Sequence, residues 1–278
     1  MGDHQTSIIE LHGVYKVFVS GNKRNPIAML ALQNAEFTVP QGEFLTIVGP
    51  SGCGKSTVLN LIAGLMQPSS GQVLYRGGEI RGINTQVGYV TQDDNLLPWR
   101  TVVKNVEFSL EVRGVARRDR ERLAEEHVRQ VGLTGFEQHY PHELSGGMRK
   151  RVSIARTLAY NPDVILMDEP FGPLDAQTRL VLQDQLLSLW DEGKQTVVFI
   201  THDLVESIVL ANRVMVMSCS PGRIKNIYPV PLAHPRDAFH IHEVPGFDHI
   251  YDQIWQDIRE EILAQGRGAS CASNGSSR

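Results

Sequence analysis

The chain has 278 residues, and its hydrophobic (41%) and charged (21%) fractions are typical of soluble globular proteins, which excludes a disordered or fibrous chain. A formal net charge of -4 lacks the basic balance of nucleic-acid-binding surfaces, so we expect no nucleic-acid partner. The three scattered cysteines match neither a disulfide framework nor a zinc site, which favours a reducing compartment. We expect neither a secretion signal nor a membrane-spanning segment, because no apolar run is long enough.

The first predicted elements are a strand, a glycine-rich loop and a helix. Residues 44–48 form an apolar run that ends at Gly49, and apolar residues then recur at helical spacing over 58–66. Short strands are predicted at 73–75 and 87–90. The loop between the first strand and its helix is therefore a candidate anion-binding site.

The middle of the chain has a different pattern. Residues 99–160 carry helical stripes of apolar residues among many charges, which indicates a helical subdomain. Beyond it, strands are predicted at 164–167, 196–200 and 213–217, with a helix at 180–190. Strands that alternate with helices imply the α/β class, with a largely parallel sheet covered on both faces.

The C-terminal part contains a proline-rich segment, a helix and a polar tail. Residues 229–245 are expected to be irregular, and the helix after them has one apolar face formed by Phe247, Ile250, Ile254, Ile258 and Ile262. We interpret this helix as a cover for the chain's own core, with a regulatory or partner-binding role as the alternative. The small, polar residues 266–278 are predicted to be a flexible tail, which leaves 1–265 as the folded domain.

A phosphate-binding motif lies at the first strand-to-helix junction. The sequence there matches G-x-x-x-x-G-K-[ST], and its candidate ligand-binding residues are Gly49, Pro50, Ser51, Gly52, Cys53, Gly54, Lys55, Ser56 and Thr57. Backbone N–H groups of such a loop surround an anion, Lys55 would reach the β- and γ-phosphates, and Ser56 would offer its hydroxyl to Mg²⁺. We interpret Cys53 as a small filler residue with no chemical role. Because it lies close to a helix N-terminus and Lys55, we also expect its thiolate to be favoured and bound nucleotide to protect it from alkylation.

Two carboxylates follow the next buried strand. Asp168 and Glu169 come directly after 164–167, so they emerge at the carboxyl end of the sheet, where such folds bind ligands. Asp168 is predicted to hold Mg²⁺, and Glu169 to act as the general base that polarises the attacking water. A helix-capping role is the structural alternative.

A stretch between these two motifs narrows the broad class of P-loop NTPases to one family. Leu144-Ser145-Gly146-Gly147-Met148-Arg149-Lys150-Arg151 resembles the LSGGQ signature of ATP-binding cassette (ABC) ATPases, although Met148 departs from the usual glutamine. Ser145, Gly146 and Gly147 at the start of a helix would form a second anion site, and a cap without function is the alternative.

Weaker motifs of this family occur in the expected order. The resemblance assigns Gln92 to the Q-loop glutamine that contacts Mg²⁺, Asp175 to the D-loop, and His202 to the catalytic switch histidine near the γ-phosphate. Phe18 aligns with the aromatic residue that stacks on adenine. Tyr15 competes for that role, and core packing stays open for either residue.

The resemblance covers residues 8–221 and implies both fold and activity. It predicts a P-loop NTPase with a RecA-like α/β core, an N-terminal antiparallel β portion and a helical subdomain, in a nucleotide-binding domain that hydrolyses ATP with Mg²⁺. One P-loop and one signature per chain imply a homodimer with ATP at its interface.

Finer features are similar to the nitrate, sulfonate and taurine importer branch, at residues 96–99, 172–175 and 220–223. This similarity implies a separate membrane permease, a solute-binding protein, and a peripheral location at the cytoplasmic face of the inner membrane. We expect Trp99, with Leu96 and Leu97, to contact the permease, because large apolar groups in a partly exposed loop are typical of interfaces. Burial in the core is the alternative.

Two other functions compete with transport. A soluble ABC ATPase of translation or DNA maintenance would share the same catalytic residues, but the chain has no second cassette and no long coiled-coil insertion. A small-molecule kinase would leave the signature and His202 unexplained. Because solute contacts belong to other chains, nitrate, aliphatic sulfonates, taurine and thiamine precursors are all candidate solutes.

Overall fold

Strands alternate with helices along the chain, and a computed structural model describes them over residues 7–22, 25–219 and 221–272. We number strands and helices in chain order. An antiparallel N-terminal sheet contains β1 (Ser7–Asn22), β2 (Asn25–Pro40), β4 (Ser70–Tyr75) and β5 (Gly78–Glu79) in the spatial order β2-β1-β4-β5. This sheet matches the expected N-terminal antiparallel portion.

The second sheet is parallel except at one edge. It contains β3 (Phe44–Val48), β6 (Val87–Val90), β7 (Val164–Asp168), β8 (Thr196–Ile200), β9 (Arg213–Ser218) and β10 (Arg223–Pro229) in the spatial order β10-β9-β3-β8-β7-β6. The edge strand β10 pairs antiparallel to β9, whereas the other strands pair in parallel. β3 and β8 are buried along their whole length, as apolar runs in a sheet covered on both faces should be. The carboxyl ends of β3, β6, β7 and β8 consequently share one edge.

Helices cover this sheet and form the segment between β6 and β7. α1 (Lys55–Ile62), α5 (Ala176–Gly193), α6 (Leu204–Leu210) and α7 (Phe247–Ala272) belong to the covering layers. α2 (Val102–Val112), α3 (Arg117–Gln130) and α4 (Gly146–Leu158) lie within 99–160 and share a separate apolar cluster. In the described part of the chain, none of the helices has the length and hydropathy needed to cross a membrane.

The last helix, α7, covers part of the core, as its apolar face predicts. Phe247, Ile250, Ile254 and Ile258 are buried in the cluster that also contains strands of the parallel sheet. Ile262 differs from the expectation, because it is 49% exposed. The helical backbone runs to Ala272, into the segment for which the sequence predicts a flexible tail, and residues 273–278 of that tail lie outside the described residues.

Candidate active site

The glycine-rich loop after β3 turns the chain into α1. Gly54 is the N-cap of α1 with φ of 96°, a left-handed conformation that favours glycine. A Cβ atom at Gly49 would lie 2.5 Å from the carbonyl oxygen of Met217, so a side chain is excluded there too. The buried Lys55 ammonium donates to the carbonyl oxygens of Gly49 at 2.8 Å and Pro50 at 3.1 Å. These bonds hold its positive charge against a loop whose N–H groups can bind phosphate.

A hydroxyl and a carboxylate meet beside this loop. The Ser56 hydroxyl donates to Oδ1 of Asp168 at 3.1 Å. Burial raises the pKa of Asp168, while hydrogen bonds from Ser56 and Tyr89 oppose that rise. Tyr89 is a contact that the motifs did not reveal, because it is brought in by the neighbouring strand β6. One carboxylate and one hydroxyl beside a phosphate loop fit Mg²⁺, which takes its remaining oxygens from phosphates and water.

The second carboxylate contacts the predicted switch histidine. Oε2 of Glu169 lies 3.5 Å from Nδ1 of His202, which follows the adjacent strand β8. The φ of Glu169 is 45°, and its amide donates to the carbonyl oxygen of Ile200 at 3.1 Å. A left-handed conformation is strained for a residue other than glycine, and such strain clusters at functional sites. Glu169 lies beside the phosphate loop, because it lines the same groove as Gly54 and Lys55.

A groove of about 250 Å³ lies over the phosphate loop, and its wall distinguishes between the two aromatic candidates. The lining contains Phe18, Met29, Ala31, Ser51, Gly52, Gly54, Lys55, Ser56, Thr57 and Glu169. Phe18 stands opposite Met29 in the β1–β2 pairing, whereas Tyr15 pairs with Ser70 of β4 and is not part of this lining. Of the two candidates, Phe18 lines the groove, and its role as the adenine-stacking residue stays a prediction. Met29 adds an apolar wall that sequence reasoning missed, because only strand pairing brings it there.

The predicted signature begins α4, away from this groove. Ser145 is the N-cap of α4, and its hydroxyl accepts from the amide of Met148 at 3.3 Å. A Cβ at Gly147 would lie 2.5 Å from Cγ2 of Thr178, so close packing on α5 requires glycine. Neither Ser145, Gly146 nor Gly147 lines the groove over the phosphate loop. The two predicted anion sites are therefore separate within one chain.

Gln92 and Asp175 are both exposed side chains near the ends of elements. Gln92 follows β6, at the same sheet edge as the carboxylates. Asp175 is the N-cap of α5, and its carboxylate accepts from the amide of Thr178 at 3.0 Å. This hydrogen bond lowers the pKa of Asp175. Asp175 thus has a structural role in the single chain, and nucleotide contact by either residue stays a prediction.

Cys53 differs from the expectation of an activated thiol. Its side chain is fully buried, and burial raises the pKa of the thiol to about 11, although the charge of Lys55 opposes this rise. The prediction of a favoured thiolate is wrong, because the cost of burying a negative charge exceeds the attraction of the nearby ammonium. Cys53 fills the space under the loop.

The loop after Gln92 has one exposed aromatic residue and one buried anchor. Trp99 is 71% exposed, which excludes the alternative of core burial. Leu96 is partly buried against the apolar cluster of the helical subdomain, so it is less available to a partner than predicted. The fully buried Asn105 accepts from the amide of Leu97 at 2.8 Å and donates to the carbonyl oxygen of Arg100 at 2.9 Å. Asn105 was missed, and its only sequence signal is a polar residue within an apolar stripe.

Comparison with known proteins decides the family. The family model described as ABC transporter matches residues 32–172, which include the phosphate loop, the signature and both carboxylates. The chain belongs to the ABC transporter family. The predicted ABC-type fold and ATP-hydrolysing activity are confirmed, and the protein is an ATP-binding subunit of this family.

Relatives of this ABC ATPase include proteins named for transport. An uncharacterised ABC transporter ATP-binding protein of Methanocaldococcus jannaschii is 45% identical over 255 residues, which are 92% of each chain. An aliphatic sulfonates import ATP-binding protein of Bacillus licheniformis is 41% identical over 90% of this chain and 91% of that protein. A solved dimeric ATP-binding cassette in a post-hydrolysis state, bound to ADP and Pi, has a TM-score of 0.69 and 32% identity, covering 80% of this chain and 98% of that one.

Proposed function

We propose that this ATPase drives import of a small solute of the nitrate, sulfonate and taurine type through a separate membrane permease. The contact between Glu169 and His202 beside the phosphate loop is the observation that supports ATP hydrolysis at this site. The aliphatic sulfonate importer subunit at 41% identity supports the solute class. The relatives named as transporter subunits disfavour a soluble ATPase of translation or DNA maintenance.

The phosphate loop binds and orients the triphosphate in this proposal. Lys55 is anchored by two carbonyl oxygens and uses its charge toward the β- and γ-phosphates. Ser56, Asp168 and Gln92 would hold Mg²⁺, which supplies positive charge that neutralises the phosphate oxygens. Phe18 and Met29 would enclose the adenine base at the other end of the groove.

Hydrolysis requires a base and a group that orients it. Glu169 would accept a proton from the attacking water at its carboxylate, and His202, at 3.5 Å, would hold that carboxylate and reach toward the γ-phosphate. A cation beside Asp168 would lower the raised pKa of this carboxyl group, which suits Asp168 to metal binding.

A second copy of the chain would complete each site. Ser145, Gly146 and Gly147 do not line the groove of their own chain, and the amino end of α4 can bind an anion. In a homodimer this end would cover the γ-phosphate bound by the other copy, so ATP would lie at the interface. The solved dimeric cassette with 32% identity supports this arrangement.

A groove beside Trp99 would receive the permease. The groove has a volume of about 370 Å³ and is lined by Trp99, Arg100, Thr101, Lys104, Glu107, Glu111, Arg117, Arg120 and Tyr140. Exposed aromatic rings among charges of both signs suit a cytoplasmic helix of a membrane protein. We therefore expect a peripheral location at the cytoplasmic face of the inner membrane, with a solute-binding protein in the same system.

The experiment that tests this function is affinity purification of the tagged chain from native membranes. We expect a permease and a solute-binding protein to co-purify, and in proteoliposomes taurine, ethanesulfonate or nitrate should stimulate phosphate release. Recovery only with ribosomes or DNA would overturn the transport function. ADP formation that requires an acceptor molecule and releases no inorganic phosphate would instead indicate a kinase.

A further inference from the structure

The loop formed by residues 91–95, which contains Gln92, is attached to α4 by basic side chains. Lys150 is 2% exposed, and its ammonium donates to the carbonyl oxygens of Thr91 at 3.0 Å and Gln92 at 2.8 Å. The same ammonium lies 3.2 Å from Oδ1 of Asp94. Because a lysine ammonium has three N–H donors, this loop uses all of them.

Two arginines of α4 reinforce the attachment. Nε of Arg149 lies 3.2 Å from Oδ2 of Asp94, and Arg149 also donates to the carbonyl oxygen of Leu144 at 2.7 Å. Arg156 donates to the carbonyl oxygens of Asn95 at 2.8 Å and Asp94 at 3.1 Å. Leu144 directly precedes the signature serine, so one arginine contacts both the signature and the loop. Charge-assisted bonds of this kind are stronger than neutral ones, and we expect the loop to move with α4.

Lys150 differs from the arginines in its burial and in its target. It contacts the backbone on both sides of the Gln92 side chain, and no other described contact of α4 reaches the Gln92 carbonyl. Burial lowers the pKa of Lys150, and the charge of Asp94 opposes that effect. Removal of the ammonium would leave the carbonyl groups of Thr91 and Gln92 without this donor and Asp94 with Arg149 as its remaining ion-pair partner, and the Gln92 backbone could then shift.

We propose that Lys150 is a positioning residue that holds Gln92 in place for the bound metal and joins it to the helix that begins with the signature. The proposal rests on the proposed role of Gln92 at Mg²⁺. The amino end of α4 would contact ATP held by the second copy. A movement of α4 on that contact would therefore also move, through Lys150, the Gln92 of its own chain. Lys150 itself touches neither nucleotide nor metal.

The test is a double-mutant cycle between Lys150→Met and Gln92→Ala, with ATPase rate and Mg²⁺ dependence as readouts. Lys150→Met should lower kcat by about tenfold to a hundredfold and raise the Mg²⁺ concentration for half-maximal activity, because a small displacement of a site group costs that much. Binding of a fluorescent ATP analogue in EDTA should be unchanged. Gln92→Ala should produce the same losses, and the double variant should be no worse than Gln92→Ala alone.

Control variants separate positioning from stability and from charge. Arg122→Met removes a positive charge from an exposed site on α3 and should keep parental kinetics. Asp94→Asn keeps the shape of the loop but weakens the pair, so it should shift the Mg²⁺ dependence in the same direction by a smaller factor. It serves as the decisive variant if Lys150→Met does not fold.

The three variants test the positioning role of Lys150 separately from the role of Gln92 at Mg²⁺. If Lys150→Met keeps the parental Mg²⁺ dependence while Gln92→Ala changes it, Lys150 is not a positioning residue and the role of Gln92 stands. If Lys150→Met does not fold, the same comparison is made with Asp94→Asn. Losses that multiply independently in the double variant also overturn it. An unchanged Mg²⁺ dependence in Gln92→Ala removes the role of Gln92 and the inference with it.

Discussion

Glu169 combines a strained backbone with a carboxylate that contacts His202, and we propose it as the general base of hydrolysis. Glu169→Gln keeps the size and hydrogen-bonding capacity of the side chain but removes its basicity. We expect phosphate release to fall by about two to four orders of magnitude, the usual contribution of a general base. ATP binding should survive, because Lys55, Ser56 and Asp168 are unchanged. ATP-bound dimer should therefore accumulate.

Size exclusion with light scattering in Mg-ATP measures this accumulation. The matched control is Glu169→Gln combined with Ser145→Arg, since Ser145 lies at the exposed amino end of α4 and an arginine would block that surface. The double variant should stay monomeric. Hydrolysis at the parental rate would exclude Glu169 as the base, and equal monomer in both variants would mean that the permease is needed for pairing.

Cys53 provides a second prediction, which follows from its burial. Because burial raises the pKa of this thiol to about 11, the thiolate is rare at neutral pH, and maleimide should label Cys53 slowly even without nucleotide. The labelling rate should rise steadily between pH 7 and pH 9. Mass spectrometry of the modified peptides separates Cys53 from Cys219 and Cys271. Rapid labelling at pH 7 that ATP suppresses would restore the activated thiol and contradict the buried one.

Helix α6 contains a carboxyl group with an unusual environment. Glu206 is 4% exposed, and it accepts from Nε2 of Gln183 on α5 at 2.9 Å. Burial raises the pKa of Glu206 to about 7, against hydrogen bonds from Thr201 and Gln183. The folded protein therefore binds this proton more tightly than the unfolded chain does. The free energy of unfolding consequently falls as the pH rises from the ordinary glutamate pKa toward 7.

Glu206→Gln should remove this pH dependence. The variant keeps a similar shape and an acceptor for Gln183 but carries no charge, so its Tm should exceed the parental Tm at pH 8. The gain is at most about 3 kcal/mol, from the difference between the folded and ordinary pKa values. At pH 5 the two proteins should unfold at similar temperatures. Differential scanning calorimetry at both pH values measures this, with the exposed Glu125→Gln as control, and a constant difference between the curves would contradict the prediction.

In the whole molecule, the face that carries Trp99 is distinct from the groove over the phosphate loop. Trp99 is 71% exposed, so Trp99→Ala removes little packing within the chain. We expect this variant to fold and bind ATP normally but to recover at least several-fold less permease in co-purification, because truncating an interface tryptophan costs about 2 kcal/mol or more. Parental recovery would exclude Trp99 from the interface, and a large loss of Tm would restore a core role.

Local chemistry explains why much of the site could be predicted. The phosphate loop, the Asp168–Glu169 pair and the signature each depend on adjacent residues in a fixed strand–loop–helix context, so the pattern of the chain alone indicates their function. The parallel sheet follows from buried apolar runs that alternate with helices. Together these patterns sufficed for the fold class, the ATPase activity and the family.

Contacts between distant segments required the tertiary structure. Met29 enters the groove over the phosphate loop through strand pairing, Asn105 secures a loop from a helix, and Lys150 reaches Gln92 across 58 positions of the chain. Cys53 also could not be predicted from the sequence, because its neighbours in the chain favour a thiolate whereas burial of the side chain disfavours one. Burial and long-range hydrogen bonding depend on how helices and sheets pack. The sequence by itself thus determined which reaction the protein performs, and packing decided which further side chains hold the reacting groups in place.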